Sequence, residues 1–359
     1  MPMFMIHPDS RTLDWMIQVA AENKFSDIAL IEKSIRAFSL LESLVLSGCP
    51  FVFKGGTALM LHMDCAKRLS IDIDIICPPE TNIEEFVQEH AKEYGFVEVK
   101  LIERISALRI PKTHAKFFYE AAYFTNTQTE NILLDVLFED IHYQEVVKLP
   151  IQSRFLKLEG EPALVSVPGK ADMLGDKLTA FAPNTTGIPY FKGERDCSME
   201  IIKQLFDVAS LFDVLDDLTV VSDTFKKFAS VELHYRNLDP ENISKVLDDI
   251  YQTSLCLCLQ GQIESDNFKL LQAGTKRIQS FIHSEKYNVD RAITNASKTA
   301  YLSVLIRNGI ITINHFNSRK MEQLRDAVIQ EPMNIKLNKL KKSNIEAFFY
   351  WNEIFKLQS

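Results

Sequence analysis

Past Pro162 to Pro168 the β-branched alternation of this chain largely disappears and helical spacing takes over, and no other feature restricts the fold as much. Before that point, short runs rich in β-branched and aromatic residues predict strands at about 51–54, 71–76, 96–103, 105–110, 116–124 and 131–138, with shorter extended pieces through 145–166. The same half predicts helix over Leu13–Leu46, broken near Lys24-Phe25-Ser26-Asp27 where a Ser or Asp caps a new start. A further helix at about 82–94 follows Pro78-Pro79 and is closed by Gly95. From Gly169 onward the spacing is helical, with candidates at about 170–181, 198–214, 218–231, 240–259, 265–283, 287–307 and 341–356. The chain therefore reads as α+β: a mixed β-sheet with flanking helices over residues 1–165, then an α-helical domain over 166–359.

The stretch Lys54 to Asp74, KGGTALMLHMDCAKRLSIDID, carries the chemistry. In Ile71-Asp72-Ile73-Asp74-Ile75-Ile76 the alternation predicts a strand with isoleucines on one face and both acids on the other. Two carboxylates on one face repel unless a proton or a divalent cation lies between them, and a metal is the better answer. Ahead of them, Phe51-Val52-Phe53 reads as a short buried strand, Gly55-Gly56 as a sharp turn that permits close backbone approach, and Thr57-Ala58-Leu59-Met60-Leu61 as the start of a helix. Amide groups at such a helix start face an incoming phosphate. Arg68 and Ser70 offer a cation and a hydroxyl at the same edge, or else form an ordinary solvated loop. A third acid stands in Asn131-Ile132-Leu133-Leu134-Asp135-Val136-Leu137-Phe138, an apolar run in which an unpaired buried carboxylate is costly; Glu139 and Asp140 compete with Asp135, as does a simple position at a strand end.

Lys54-Gly55-Gly56-Thr57, Leu59, Arg68, Ser70, Asp72 and Asp74 together resemble the first motif of the abortive-infection (AbiEii-type) nucleotidyltransferase toxins of bacterial type IV toxin–antitoxin systems, members of the DNA polymerase beta-like nucleotidyltransferase superfamily. Met173-Leu174-Gly175-Asp176-Lys177-Leu178-Thr179-Ala180-Phe181 resembles the helical lysine motif of that family. More loosely, Lys203-Gln204-Leu205-Phe206-Asp207-Val208-Ala209-Ser210-Leu211 resembles its last motif, in which an aspartate is required. The resemblance spans roughly residues 50 to 213. On the residues alone, Lys177 reads as a solvated position on an amphipathic helix, and Lys203 with Asp207 as a surface ion pair one helical turn apart, worth roughly a few tenths of a kcal/mol; the resemblance reverses that preference for Lys177 and Asp207 and not for Lys203.

The resemblance implies a nucleotidyltransferase-like sheet domain whose Gly-Gly turn holds a nucleoside triphosphate and whose Asp72 and Asp74 hold magnesium, with Asp135 the candidate third acid acting on the attacking hydroxyl. Two ions roughly 4 Å apart would stabilise the attacking and leaving oxygens. It implies that Lys177 meets the phosphates or the leaving pyrophosphate, that Asp207 is needed, and that both belong to the same cleft. The implied acceptor is the tRNA 3′ end, so that translation stops, and the implied partner is a cognate antitoxin. Transfer to a small molecule or to a protein hydroxyl is a second enzymatic reading. A catalytically silent nucleotide-binding module is a third, although a binding protein has no need of a two-metal site.

Composition removes other classes. With 359 residues, 46% hydrophobic and 25% charged, the chain is long enough for two domains. No run has the length of a membrane span, and the amino terminus does not read as a secretory signal, so the cytoplasm is the expected compartment. Six cysteines without a Cys-x-x-Cys pair indicate neither a zinc site nor a disulfide framework, and the histidines form no His-Glu-x-x-His pattern. A net charge of −8 argues against bulk electrostatic coating of nucleic acid. Two local basic groups, Lys336, Lys339, Lys341 and Lys342 near the end and Lys24, Lys33 and Arg36 on an early helix, are open to an RNA backbone or to plain solvation.

Overall fold

The computed structural model describes residues 5–23, 27–63, 67–88, 90–103, 111–123, 128–317, 319 and 321–358. Two compact units account for them: residues 1–169 with 280–285, and residues 170–279 with 286–359.

The first unit is built on a five-stranded mixed sheet in the order β1-β2-β5-β4-β3. Its strands are β1 (Val52–Lys54), β2 (Ile73–Cys77), β3 (Phe96–Glu103), β4 (Lys112–Glu120) and β5 (Thr129–Phe138). β2 and β5 run parallel, while the other pairs are antiparallel. Alternation sets the two faces. Ile73 and Ile75 of β2, Ala115, Phe117 and Tyr119 of β4, and Ile132, Leu134 and Val136 of β5 are buried. Helix α2 (Ile28–Leu46) packs on β2 and β5; it follows α1 (Leu13–Asn23) and begins where the Asp27 side chain accepts from the Leu30 amide. α3 (Gly55–His62) follows β1 directly. A hairpin of β6 (Val146–Pro150) and β7 (Leu164–Pro168) completes the unit.

The expected helix over 82–94 is replaced by one short turn, α4 (Glu84–Val87), and a series of turns ending at Gly95, whose φ is 77°. Val87, Ala91 and Tyr94 still bury at helical spacing, so the apolar pattern is satisfied without a continuous helix. β4 starts four residues before its expected position. The expected break at Lys24-Phe25-Ser26 and the strand at 105–110 lie outside the described residues, as do Cys65 and the end of the run expected at 116–124.

The second unit holds α5 (Lys170–Ala180), a two-residue hairpin of β8 (Phe191–Lys192) and β9 (Arg195–Asp196), then α6 (Ser198–Phe212), α7 (Thr219–Tyr235), α8 (Ile243–Cys258), α9 (Ser265–Arg277), α10 (Val289–Arg307), α11 (Leu340–Ser343) and α12 (Ile345–Gln358). Gly175 is required by the crossing of α5 and α7: a Cβ there would stand 2.8 Å from the Val221 carbonyl oxygen. The turn-rich loop 183–189 is tied to α8, because the Asn184 amide, the Asn184 side chain and the Thr185 hydroxyl all donate to Asp249. Among the described residues, no helix is long and apolar enough to cross a membrane.

Candidate active site

In the first unit, register assembles a row of polar side chains across four adjacent strands. Lys54 of β1 pairs with Asp74 of β2, Asp74 with Asp135 of β5, and Asp135 with His114 of β4. Residues paired in register point to the same face, on strands about 4.8 Å apart. All four are half-buried, while their neighbours Ile73, Ile75, Leu134, Val136 and Ala115 fill the opposite, apolar face. Of the three candidates for a third acid, Asp135 is the one aligned with Asp74. Glu139 is buried just past the strand, its amide bonded to the Cys77 carbonyl, and Asp140 is exposed beyond it.

Asp72 stands apart from the strand on which the alternation placed it. β2 begins at Ile73, and Asp72 is exposed one residue earlier. Its position is nonetheless fixed, because the fully buried Thr57 donates its hydroxyl to the Asp72 carbonyl at 2.6 Å. Thr57 thereby couples the first turn of α3 to the acidic segment.

The two glycines are explained by what crowds them. Gly55 has φ of 81°, in the left-handed region, and a Cβ there would collide with the Asp74 carboxylate. A Cβ on Gly56 would stand 2.6 Å from Arg68 Nη2 and 2.7 Å from Ser70 Oγ. The start of α3 is thus lined by a carboxylate, a guanidinium and a hydroxyl within contact of bare backbone. Lys54, at the N-cap, does not close the helix start with its own side chain. The Arg68 segment is itself held from several directions. The Arg68 Nη1 donates to the Leu69 carbonyl at 2.9 Å, and Ser34 of α2 donates to the Ser70 carbonyl at 3.0 Å. Residues 280–285 return to this unit to bracket it: Arg68 forms a β-bridge with Ile282, the Leu69 amide donates to the Phe281 carbonyl at 2.7 Å, and the Ser284 hydroxyl to the Lys67 carbonyl at 2.9 Å. Sequence reading did not anticipate this distant segment.

Could such a row take magnesium? Among the described residues, no three His, Cys, Asp or Glu side chains converge into a group that would enclose a metal ion. Magnesium keeps waters and substrate phosphates as ligands and takes only one or two carboxylates from the protein. Asp74 and Asp135, side by side in register with Asp72 just ahead, fit an ion arriving with a triphosphate and do not form a closed cage.

In the second unit, Lys177 and Asp207 meet. Lys177 Nζ donates to Asp207 Oδ2 at 2.7 Å, and both residues are buried, so neither is the solvated group that each reads as on its own. Gly175 and Thr224 belong to the same α5–α7 packing, where the Thr224 hydroxyl bonds the buried Asp172 at 2.5 Å. The early basic group does not survive as a patch: Lys33 pairs with Glu130 at 3.0 Å, Arg36 is buried over the Tyr119 ring, and Lys24 lies outside the described residues. Near the end, Lys336, Lys339 and Lys342 are exposed, while Lys341 donates to the Ala327 carbonyl.

Residues 39–288 match the family described as "Nucleotidyl transferase AbiEii toxin, Type IV TA system". The chain belongs to this family. AbiEii membership makes it a nucleotidyltransferase toxin of a type IV toxin–antitoxin system and implies a cognate antitoxin. No curated protein matches the chain. Among solved structures it is similar to JHP933 from Helicobacter pylori, at 14% identity and a TM-score of 0.41, with 78% of this chain and 94% of that one covered. It is also similar to an antigenic nucleotidyltransferase-like protein from Paracoccidioides brasiliensis, at 13% identity and a TM-score of 0.33, with 58% and 92% covered. Both scores fall below 0.5, a level that bears no weight for the site's chemistry.

Proposed function

We propose that this AbiEii toxin transfers a nucleoside monophosphate from a triphosphate to an acceptor hydroxyl, with the tRNA 3′ end as acceptor and arrest of translation as the result. The observation that carries the reading is the alignment of Asp74 and Asp135 in register beside the Gly55-Gly56 helix start, with Arg68 and Ser70 against the same backbone. In the proposed reaction the acceptor oxygen bonds to the α-phosphorus, the bond from that phosphorus to the oxygen bridging to the β-phosphorus breaks, and pyrophosphate leaves. Magnesium, taking one or two carboxylates at a time from Asp72, Asp74 and Asp135, would supply charge stabilisation for the attacking and leaving oxygens. Gly55 and Gly56 let the triphosphate approach the backbone at the start of α3, and Arg68 adds a fixed positive charge there. Asp135 orients the acceptor hydroxyl and receives its proton. Lys177 and Asp207 enter as motif residues of the family; in this structure they neutralise one another.

The test is direct. Each α-labelled ribonucleoside triphosphate is incubated with the protein, magnesium and, in separate arms, total tRNA, total protein or an aminoglycoside. Label at the tRNA 3′ end, lost in Asp74→Asn, is the expected result. Label in another fraction would reassign the acceptor, and magnesium-dependent binding without pyrophosphate release in any arm would leave only a nucleotide-binding module.

A further inference from the structure

The row across the sheet contains one group that neither the motifs nor the family reading uses, His114. It lies on β4, directly in register with Asp135, and its Nδ1 hydrogen-bonds to Asp135 Oδ1. Asp135 therefore has a carboxylate neighbour on one side, Asp74, and an imidazole neighbour on the other. The two act in opposite ways on its position: the like charge of Asp74 pushes the Asp135 carboxylate away, while the hydrogen bond to the His114 ring holds one of its oxygens in place. His114 engages one oxygen of Asp135, and the carboxylate's second oxygen is a separate acceptor on the same side chain.

Burial is consistent with that division. The His114 side chain is 13% exposed and that of Asp135 is 35% exposed, so the anchor sits deeper than the group it holds. Ala115 beside His114 is fully buried on the opposite face, and Ile102 of β3 is its register partner on the outer side, so His114 is held in place by the strand and has no acid but Asp135 in register with it. A cross-strand polar pair on a partly open face adds only about 0.2–1 kcal/mol to a sheet. Its value to the fold is small, whereas a carboxylate meant for a metal or a hydroxyl gains from being orientated before the ligand arrives.

We propose that His114 is a positioning residue: it holds Asp135 through Nδ1 so that the free carboxylate oxygen is presented to the metal-bearing triphosphate and the acceptor hydroxyl. This rests on the nucleotidyl-transfer reading above and adds to it a residue outside the motifs.

The experiment measures binding of Mn2+ in the presence of an α,β-methylene triphosphate, followed by the electron paramagnetic resonance signal of free Mn2+, for the full chain and for His114→Ala, His114→Asn, His114→Gln and Asp74→Asn. Loss of such a supporting hydrogen bond costs about 10- to 100-fold in metal affinity, and that weakening is expected of His114→Ala with no change in thermal midpoint. Asn places its amide nitrogen near the Nδ1 position and is expected to recover most of the affinity; Gln reaches toward the Nε2 position and is not. Steady-state turnover should fall in kcat more than KM rises. If Asp74→Asn loses Mn2+ binding but His114→Ala keeps it, the role of His114 is overturned and the transfer reading stands. If Asp74→Asn also keeps it, both fall. A His114→Ala chain that melts earlier and is not rescued by Asn overturns the positioning role in favour of a packing role.

Discussion

Two acid–base arrangements in this chain use the same kinds of side chain in opposite surroundings. In the sheet unit, Lys54, Asp74, Asp135 and His114 line up in register on one face and are all half-buried. In the helical unit, Lys177 and Asp207 are buried and already joined at 2.7 Å. A buried pair is weak evidence of net stabilisation, but removing one partner strands a charge in a medium that cannot solvate it. The open row should therefore be cheap to alter for the fold and costly for the chemistry. The buried pair should cost the fold first, whatever it also does for the chemistry.

The largest expected effect lies in the helical unit. Lys177→Met should lower the unfolding free energy by about 3–5 kcal/mol, and the double variant Lys177→Met/Asp207→Leu should recover much of that loss. Denaturant melts of both would check it, and a single variant as stable as the parent would erase the distinction between the two regions. Next comes the glycine beneath Asp74. Gly55→Ala combines a left-handed φ with a collision against the Asp74 carboxylate and should cost about 1–3 kcal/mol, together with loss of pyrophosphate release. Thr57→Val removes the hydrogen bond to the Asp72 carbonyl and should cost about 1 kcal/mol in stability while raising the magnesium concentration needed for half-maximal turnover.

The smallest effect is a pH slope beneath the sheet. Burial raises the carboxyl of Glu42 above its ordinary 4.5, against the lowering effect of its bonds from Tyr94 and the Ile6 amide. A raised carboxyl contributes its full share of stability below its ordinary value and loses it as pH rises through the raised one. Glu42→Gln does not titrate, so its stability relative to the parent should improve as pH increases across that window. Melts at stepped pH would show a flat difference if Glu42 were not held this way.

Much of this was readable in one dimension. The apolar run at 131–138 gave a strand with one acid in need of a partner or solvent, and helical spacing gave α5, α6, α8 and α10 close to their observed limits, while α7 runs four residues further than expected and α9 stops at Arg277, six residues short. Register was not readable, because the order β1-β2-β5-β4-β3 is decided by pairing between segments far apart in the chain. His114 was missed for that reason. Its own alternation, opposite the buried Ala115, Phe117 and Tyr119, announced only that it faces outward from the core, and the partner that gives it meaning is 21 residues away. The bracket formed by residues 280–285 on Arg68 is a longer-range case of the same limit. The burial of Lys177 was hidden differently: a lysine on an amphipathic helix is ordinarily solvated, and only the pairing with Asp207 on another helix keeps it inside.

The claim at the centre is that the open acid row receives a triphosphate together with its metal. It is tested most directly by the thermal midpoint of the parent and of Asp74→Asn, each with magnesium alone, with an α,β-methylene triphosphate alone, and with both. Ligand that binds only the folded state raises the midpoint. The account predicts equal midpoints for the two proteins without ligand, and a rise for the parent alone when both components are present. An equal rise in Asp74→Asn, or a full rise with triphosphate in the absence of magnesium, would contradict it.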